Sequence, residues 1–483
     1  MIQITIKDNE FSYDMKALAL AFYPEKTCVV KEDESFQSRN GYSMKWEIDG
    51  VVQYEEIVPS PYTKNEVKRR AYDFLCRHSG RSLPWGILTG IRPAKIPLRM
   101  LMAGKKEEEI LPVLREEYEC SEGKARLAMD VAVREYALTG NMDHENSINV
   151  YIGIPFCPSI CAYCSFSSYP VRQYEKKIDA YLDALESELR YAKDAVAGKT
   201  LQTVYVGGGT PTSLNEEQFD RLLTMIDTCL PMELVREYTV EAGRPDSITL
   251  QKLHCMKMHN VTRISINPQS MKEHTLELLG RKHTVEDVKR VFQMARESGF
   301  DNINMDFIVG LPEETPEDFK ETLEQAAALN PDSMTVHTLV IKRASRMRKE
   351  HLENGDDICD EDRFIPVMQD YAEQFMRERG YEPYYMYRQK NKAGTTRNTN
   401  QENVAYAKPG KECLYNIFIM EELQTILALG SGGSSKYVYH GEDRMERVEN
   451  VKSVDDYINR IDEMIKRKCE QDSLREKEAK NGG

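Results

Sequence analysis

Cys157, Cys161 and Cys164 fall within eight residues, in the spacing Cys-x-x-x-Cys-x-x-Cys. Three thiolates on one short loop are a soft ligand set able to hold a single metal centre. Structural zinc asks for four ligands, commonly from two Cys-x-x-Cys pairs, and the sequence has no second pair. A 4Fe-4S cube held by three thiolates keeps one iron without a protein ligand, and an open iron is a place where a small molecule chelates. The plain alternative is three buried thiols with no metal between them.

Other residues downstream suit a ligand site. Gly207-Gly208-Gly209, followed by Thr210, closes a β-branched run. With no Cβ in the way, backbone there approaches a ligand closely; a simple turn is the competing reading. Glu241 at a strand end suits hydrogen bonds from ribose hydroxyls, against the alternative of an exposed carboxylate. Asp306 sits between Met305 and Phe307, and a carboxylate in an apolar run needs a partner. Arg281 suits an anionic ligand group, and Gln269 closes a strand. The other eight cysteines read as small core or surface residues, and His254, His259, His274 and His283 read as residues in or beside helices without chemistry.

Six short β-branched runs must position these groups: 148–154, 203–206, 238–241, 262–267, 303–309 and 333–337, each followed by a helical pattern. In the first such helix Ile178, Tyr181, Leu182, Leu185, Leu189 and Ala192 share one face. A later one opens with Thr315 as N-cap and Pro316 at its first position. Alternating strands and helices predict a parallel α/β sheet with right-handed crossovers, either doubly wound or curled into a partial barrel. In both geometries ligands bind at the C-terminal strand ends, where the candidate residues gather.

Residues 1–145 read as a separate α/β domain, with a strand at Ile2, Ile4 and Ile6 and a hairpin turn at Asp49-Gly50. Within it, 85–95 reads as a structural loop, with Arg92 and Lys95 as a weaker anion-binding candidate. Residues 146–340 form the six-unit sheet, 341–460 a C-terminal cap with a basic helix and a tyrosine-rich strand, and 461–483 a solvated helical or disordered tail.

The chain has 483 residues, enough for two to four domains, with 41% hydrophobic and 30% charged residues, a globular composition. Its 65 basic and 79 acidic side chains leave a net charge of −14, which argues against a broad nucleic-acid surface. No stretch approaches the ~18 apolar residues of a membrane span, and an odd count of eleven cysteines argues for reduced thiols. These features predict a cytoplasmic protein.

Tyr151-Ile-Gly-Ile-Pro-Phe-Cys-Pro-Ser-Ile-Cys-Ala-Tyr-Cys164 resembles the cluster loop of the radical S-adenosylmethionine superfamily. With Gly207-Gly-Gly-Thr-Pro-Thr212, Asn267-Pro-Gln-Ser270 and Asn304-Met-Asp-Phe-Ile-Val-Gly-Leu-Pro312, the resemblance narrows to the oxygen-independent coproporphyrinogen III oxidase family. The N-terminal domain and Tyr387-Arg-Gln-Lys390 point within it to HemZ-type coproporphyrinogen dehydrogenases. The resemblance covers 148–345 and, more weakly, later segments. It implies a partial (β/α)6 barrel holding a 4Fe-4S cluster on Cys157, Cys161 and Cys164, with S-adenosylmethionine on the fourth iron. By the same resemblance Tyr151 lies beside that iron and Tyr163 meets the adenine through its backbone. Gly208, Gly209 and Thr210 meet the methionine amino end, and Glu241 the ribose. Gln269, Arg281, Asp306 and, by apolar contact, Val340 match further S-adenosylmethionine positions, including those of a second molecule in the oxidases proper.

The implied reaction is oxidative decarboxylation of coproporphyrinogen III to protoporphyrinogen IX by a 5′-deoxyadenosyl radical, fed by a donor such as flavodoxin or ferredoxin. Two positions depart from the oxidases proper, which carry a cysteine two residues after the triad and a histidine four before it; here these are Phe166 and Gly153. The haem-chaperone branch carries the phenylalanine but also a His-Asn-x-x-Tyr-Trp motif, whereas the only tryptophans here are Trp46 and Trp85. A haem-delivery protein, or a radical enzyme acting on another tetrapyrrole, therefore stands as the alternative. A tetracarboxylate substrate calls for a local basic pocket, for which Arg343, Arg388 and Lys390 are the candidates.

Overall fold

The computed structural model describes residues 1–37, 40–340, 345–347, 364–389, 401–440, 442 and 444–481. Alternating apolar residues build a first, small sheet. Ile2, Ile4 and Ile6 are buried on β1 (Ile2–Ile6), which pairs in parallel with β2 (Cys28–Glu32) and antiparallel with β3 (Tyr42–Ile48). Asp49 and Gly50, at φ 53° and 83°, turn β3 into β4 (Val51–Val58) with the left-handed values that a two-residue hairpin requires. Helices α1 (Ser12–Phe22) and α2 (Lys64–Ser79) share one hydrophobic cluster with these strands, drawn from residues between Ile2 and Ile87. A capping box between Thr63 and Glu66 opens α2.

Trp85, Leu88, Ala94 and, on α3 (Glu122–Thr139), Ala125, Leu127, Ala128, Met129 and Val131 belong instead to the core of a second, larger sheet. The packing boundary therefore lies near residue 87 rather than 145, because the apolar stripe of a helix does not say which sheet it will cover. Arg92 and Lys95 are structural cations at this junction. Arg92 pairs with Glu422 at 2.5 Å and donates to the Met420 carbonyl at 2.9 Å, and Lys95 lies 3.7 Å from the same carboxylate.

In the larger sheet β5 (Ser147–Ile154), β6 (Thr200–Gly208), β7 (Glu237–Gly243), β8 (Arg263–Ile266), β9 (Ile303–Val309) and β10 (Ser333–Thr338) run parallel and in chain order. That order decides between the two predicted geometries. A doubly wound sheet requires the strand order to reverse, whereas an unbroken right-handed succession sets all crossover helices on one face and curls the sheet around the other. The crossovers are α4 (Ile178–Ala195), α5 (Glu216–Cys229), α6 (Leu250–Met258), α7 (Val285–Glu297) and α8 (Pro316–Ala328). All six apolar residues expected on the inner face of α4 are buried, and Thr315 caps α8 by accepting from the Asp318 amide.

The sheet does not close. Past β10 it is extended antiparallel by β12 (Glu402–Ala407) and β11 (Glu382–Arg388), with α9 (Ile365–Glu378) before them. Past β5 it is extended by β13 (Thr425–Leu429) in parallel and by β14 (Ser434–Tyr439) and β15 (Arg444–Glu449) antiparallel. The architecture is thus an open, eleven-stranded α/β sheet whose central strands form the expected partial barrel. No helix among the described residues is long and apolar enough to cross a membrane.

Helix α10 (Leu414–Glu421) precedes β13, and α11 (Ile461–Asn481) ends the chain. The first half of α11 is docked rather than solvated, with Met464 and Lys468 buried. The ammonium of Lys468 lies 2.7 Å from Glu188 Oε1 on α4, and Glu188 also accepts from the Tyr457 hydroxyl (2.5 Å) and from the Gly430 amide and Asn450 Nδ2, both at 2.8 Å. The charged run that suggested a solvated tail lies beyond this contact. Lys468→Ala leaves a buried carboxylate without its counter-charge and is expected to lower unfolding free energy by about 3–5 kcal/mol in denaturant titrations; a loss below about 1 kcal/mol would show the pair to be expendable.

Candidate active site

The C-terminal ends of β5 to β10 surround a cavity of about 330 Å³. The loop after β5 brings Cys157, Cys161, Tyr163 and Cys164 into its wall, and the turn after β6 brings Gly208, Gly209 and Thr210. Glu241 of β7, Gln269 and Arg281 beyond β8, Asp306 of β9 and Val340 beyond β10 complete the wall. Among the residues singled out from the sequence, Tyr151 is set behind this wall. Its hydroxyl lies where a Cβ on Gly208 would come within 2.9 Å, and its ring stacks with Tyr205 and with Tyr415 of α10.

The glycine run is required by the backbone of the cysteine loop. Gly209 donates to the Ile154 carbonyl (2.8 Å) and Thr210 to the Phe156 carbonyl (2.7 Å). A Cβ on Gly209 would fall 2.6 Å from the Phe156 oxygen, and Gly208 has φ 107°. The Thr210 hydroxyl donates to Cys157 Sγ at 3.5 Å. Burial pushes the Cys157 thiol up to about 11, with the Thr210 hydrogen bond opposing, so a thiolate there calls for a cationic partner such as a metal.

Two arginines face the central cysteine. Arg281 Nη1 is 3.5 Å from Cys161 Sγ and 3.3 Å from the Tyr163 hydroxyl, while Arg244 Nη1 is 3.9 Å from the same sulfur and donates to Ser159 Oγ at 2.7 Å. Arg244 is further held by a two-pronged pair with Asp246, at 2.9 and 2.6 Å. Sequence reasoning missed Arg244, although its place one residue after β7 was a usable signal. It also missed His337 on β10, whose Nε2 lies 3.9 Å from Asp306 Oδ2. Ser333, Thr335 and His337 alternate along that strand, and the first two bond to Asn304 on the inner face of the sheet.

Asp306 has the partners that its apolar setting demanded. Burial works to raise its pKa, but His337, Asn304 Nδ2 at 2.7 Å and Thr335 outweigh burial and hold it below the ordinary value. Gln269, at φ 73°, is a non-glycine residue in the left-handed region, held by amide and carbonyl bonds to β9.

Glu241 is in the opposite state. Its Oε1 accepts from the Tyr205 hydroxyl at 2.6 Å and its Oε2 from the Gly208 amide at 3.3 Å, yet burial raises it to about 7. A folded-state value above the unfolded one favours the protonated fold, so this group's stabilisation is present below pH 4.5 and is lost as pH rises through about 7. The melting temperature of the cofactor-free protein should therefore fall relative to that of Glu241→Gln across that window, and parallel curves would refute this.

Of the candidate substrate cations, Arg343 and Lys390 lie outside the described residues. Arg388 does not reach the cavity. It donates to the Leu88 carbonyl and sits 5.5 Å from the Trp85 ring centre, because strand alternation sends its neighbours Tyr387 and Gln389 to the cavity and Arg388 to the opposite face.

The superfamily profile "Radical SAM superfamily" matches residues 151–326. The chain is 38% identical over 411 residues, 83% of its own length and 80% of the relative's, to the oxygen-independent coproporphyrinogen-III oxidase-like protein HemZ of Bacillus subtilis (strain 168). It belongs to the HemN/HemZ-type family of radical S-adenosylmethionine proteins. It is also 38% identical over 195 residues to the haem chaperone HemW of the same organism, a match to 40% of this chain and about half, 51%, of that protein. The solved coproporphyrinogen III oxidase of Escherichia coli, titled a radical SAM enzyme, superposes with a TM-score of 0.50 at 24% identity over 69% of this chain and 73% of that one, a likeness of fold.

The cofactors of this radical S-adenosylmethionine protein are a 4Fe-4S cluster and S-adenosylmethionine, and the donor set fits them. Three cysteines on one loop leave one iron of a cube without a protein ligand, and the two arginines at Cys161 offset the negative charge of such a centre.

Proposed function

We propose that the chain decarboxylates coproporphyrinogen III oxidatively to protoporphyrinogen IX, without oxygen, in haem biosynthesis. The reading is carried by the extent of the match to the HemZ protein, which at 83% of the chain runs well beyond the segment 151–326 common to the superfamily. Cys157, Cys161 and Cys164 hold the cluster. Gly208, Gly209 and Thr210 present backbone and hydroxyl groups to the amino end of S-adenosylmethionine, and Glu241 accepts from its ribose. Gln269, Arg281, Asp306 and Val340 line the rest of its path. When bound, the two cofactors supply a one-electron carbon–sulfur cleavage, fed by a flavodoxin or ferredoxin, that yields a hydrogen-abstracting species. The chain's own residues orient the substrate and keep water from the reacting carbon.

Substrate carboxylates need cations, and the two cavity arginines already have partners: Arg244 holds Asp246, and Arg281 the Asn267 carbonyl and Tyr163. Arg343 and Lys390, which the sequence offers as cations for a polycarboxylate, are the residues to which we assign the propionates.

One observation favours a second reading, haem delivery: Phe166, which stands where the haem-chaperone branch has phenylalanine, is 74% exposed beside the cavity. Anaerobic incubation with reductant, S-adenosylmethionine and coproporphyrinogen III separates the two. Vinyl products with release of carbon dioxide are expected. Deoxyadenosine without vinyl product, together with tight haem binding, would replace the first reading with the second.

A further inference from the structure

The outer helices α5 and α6 bring together groups that the sequence alone gave no reason to connect. Cys255 on α6 and His259 at its C-terminal cap are four residues apart and so share one face. That face meets Asp220 and Asp227 of α5. His259 Nδ1 is 2.6 Å from Asp227 Oδ2. A carboxylate only accepts, so Nδ1 donates to Asp227, and Nε2, on the Asp220 side, is the nitrogen left for a metal. Asp220 Oδ1 lies 3.4 Å from His259 Nε2 and 3.4 Å from Cys255 Sγ, and all three ligand atoms lie within 4.8 Å of one another.

These separations match a metal polyhedron. Sulfur, nitrogen and oxygen bound tetrahedrally to zinc at ordinary lengths are roughly 3.3–3.5 Å apart. The ring is oriented as metal-bound histidines are, with a carboxylate on the nitrogen that does not ligate. The buried Tyr238 hydroxyl, on β7 between the two helices, has no hydrogen-bond partner among the described residues. Asp220 is exposed, which leaves an entry path and room for a water as fourth ligand.

We propose that Asp220, Cys255 and His259 form a second metal site, for a thiophilic divalent cation of the zinc type, with Asp227 as the residue that positions His259. It lies on the helical face of the sheet, apart from the cysteine loop, and ties α5 to α6 on either side of β7, the strand that carries Glu241.

The test uses cluster-loaded protein, so that Cys157, Cys161 and Cys164 are occupied, titrated anaerobically with Zn²⁺ against a competing chromophoric chelator. One equivalent is expected to bind tighter than about 1 µM and to raise the melting temperature. Cys255→Ala and His259→Ala should each weaken binding more than about a hundredfold, and Asp227→Asn about 10–100-fold, with cluster absorbance unchanged. Asp220→Asn, at an exposed position that does not endanger folding, should weaken it by a similar order and gives the answer should the buried variants misfold. Zinc uptake that is unaltered in Asp220→Asn and in Cys255→Ala/His259→Ala, or wild-type protein that takes up no stoichiometric zinc, overturns the proposal.

Discussion

Cys161→Ala is expected to yield a folded protein with no 4Fe-4S absorbance, no cluster iron and S-adenosylmethionine cleavage reduced at least about a thousandfold. Cys161 is the member of the triad most enclosed by the fold. It is buried, and its sulfur is the one faced by both Arg281 Nη1 and Arg244 Nη1, at 3.5 and 3.9 Å. Alanine removes the sulfur and leaves two guanidinium groups converging on a methyl group in its place. A water or buffer ligand filling the vacated position would have to do so between two cations in an enclosed pocket. Both arginines keep other bonds, to Asp246, Ser159 and Tyr163, so the fold should survive. The measurement is visible absorbance and iron content after anaerobic reconstitution, with circular dichroism as the check on folding. Retained cluster absorbance would falsify the ligand assignment.

The second large effect is at Glu241. Glu241→Gln is expected to weaken S-adenosylmethionine binding roughly 10–100-fold while leaving cluster content intact, the effect of losing one hydrogen bond to a charged acceptor at about 1.5–3 kcal/mol. The carboxyl group does two things at once. It accepts from Tyr205 and from the Gly208 amide, and it packs so tightly against the glycine turn that a Cβ on Gly207 would come within 2.8 Å of its Cδ. Glutamine keeps the shape but offers only one acceptor oxygen, so the Tyr205 hydroxyl, the Gly208 amide and the ribose can no longer all be served. Equilibrium binding to the reconstituted protein, across pH 6 to 9 (roughly the span around the wild-type titration near 7), reads the loss. Unchanged affinity across that range would remove Glu241 from the cofactor site.

Much of the fold was legible before any coordinate. Strand and helix periods are local properties, so the six βα units, the buried stripe of α4 and the cap at Thr315 all follow from residue spacing. The cysteine loop was legible for the same reason, since its three cysteines are neighbours in the chain. What spacing left open was which distant residues meet. Arg388 illustrates the limit: alternation fixes that Tyr387 and Arg388 face opposite ways, but only the pairing of β11 with β12 decides which of them faces the cavity. Cys255 and His259 read singly as a core thiol and a helix-end histidine, because the carboxylates beside them lie on another helix.

By itself, then, the sequence determined the unit that repeats, the loop that carries three cysteines and the strand ends that line the cavity. Each of these depends on contacts within a few residues. The tertiary structure decided that the strands succeed one another without reversal and so curl into an open partial barrel. It decided too that Arg244 and Arg281 converge on one sulfur, that α3 and α11 pack on the large sheet, and that Arg388 turns away from the cavity. These are long-range contacts, set by which faces remain to be buried once the whole chain has collapsed, and no local periodicity encodes them.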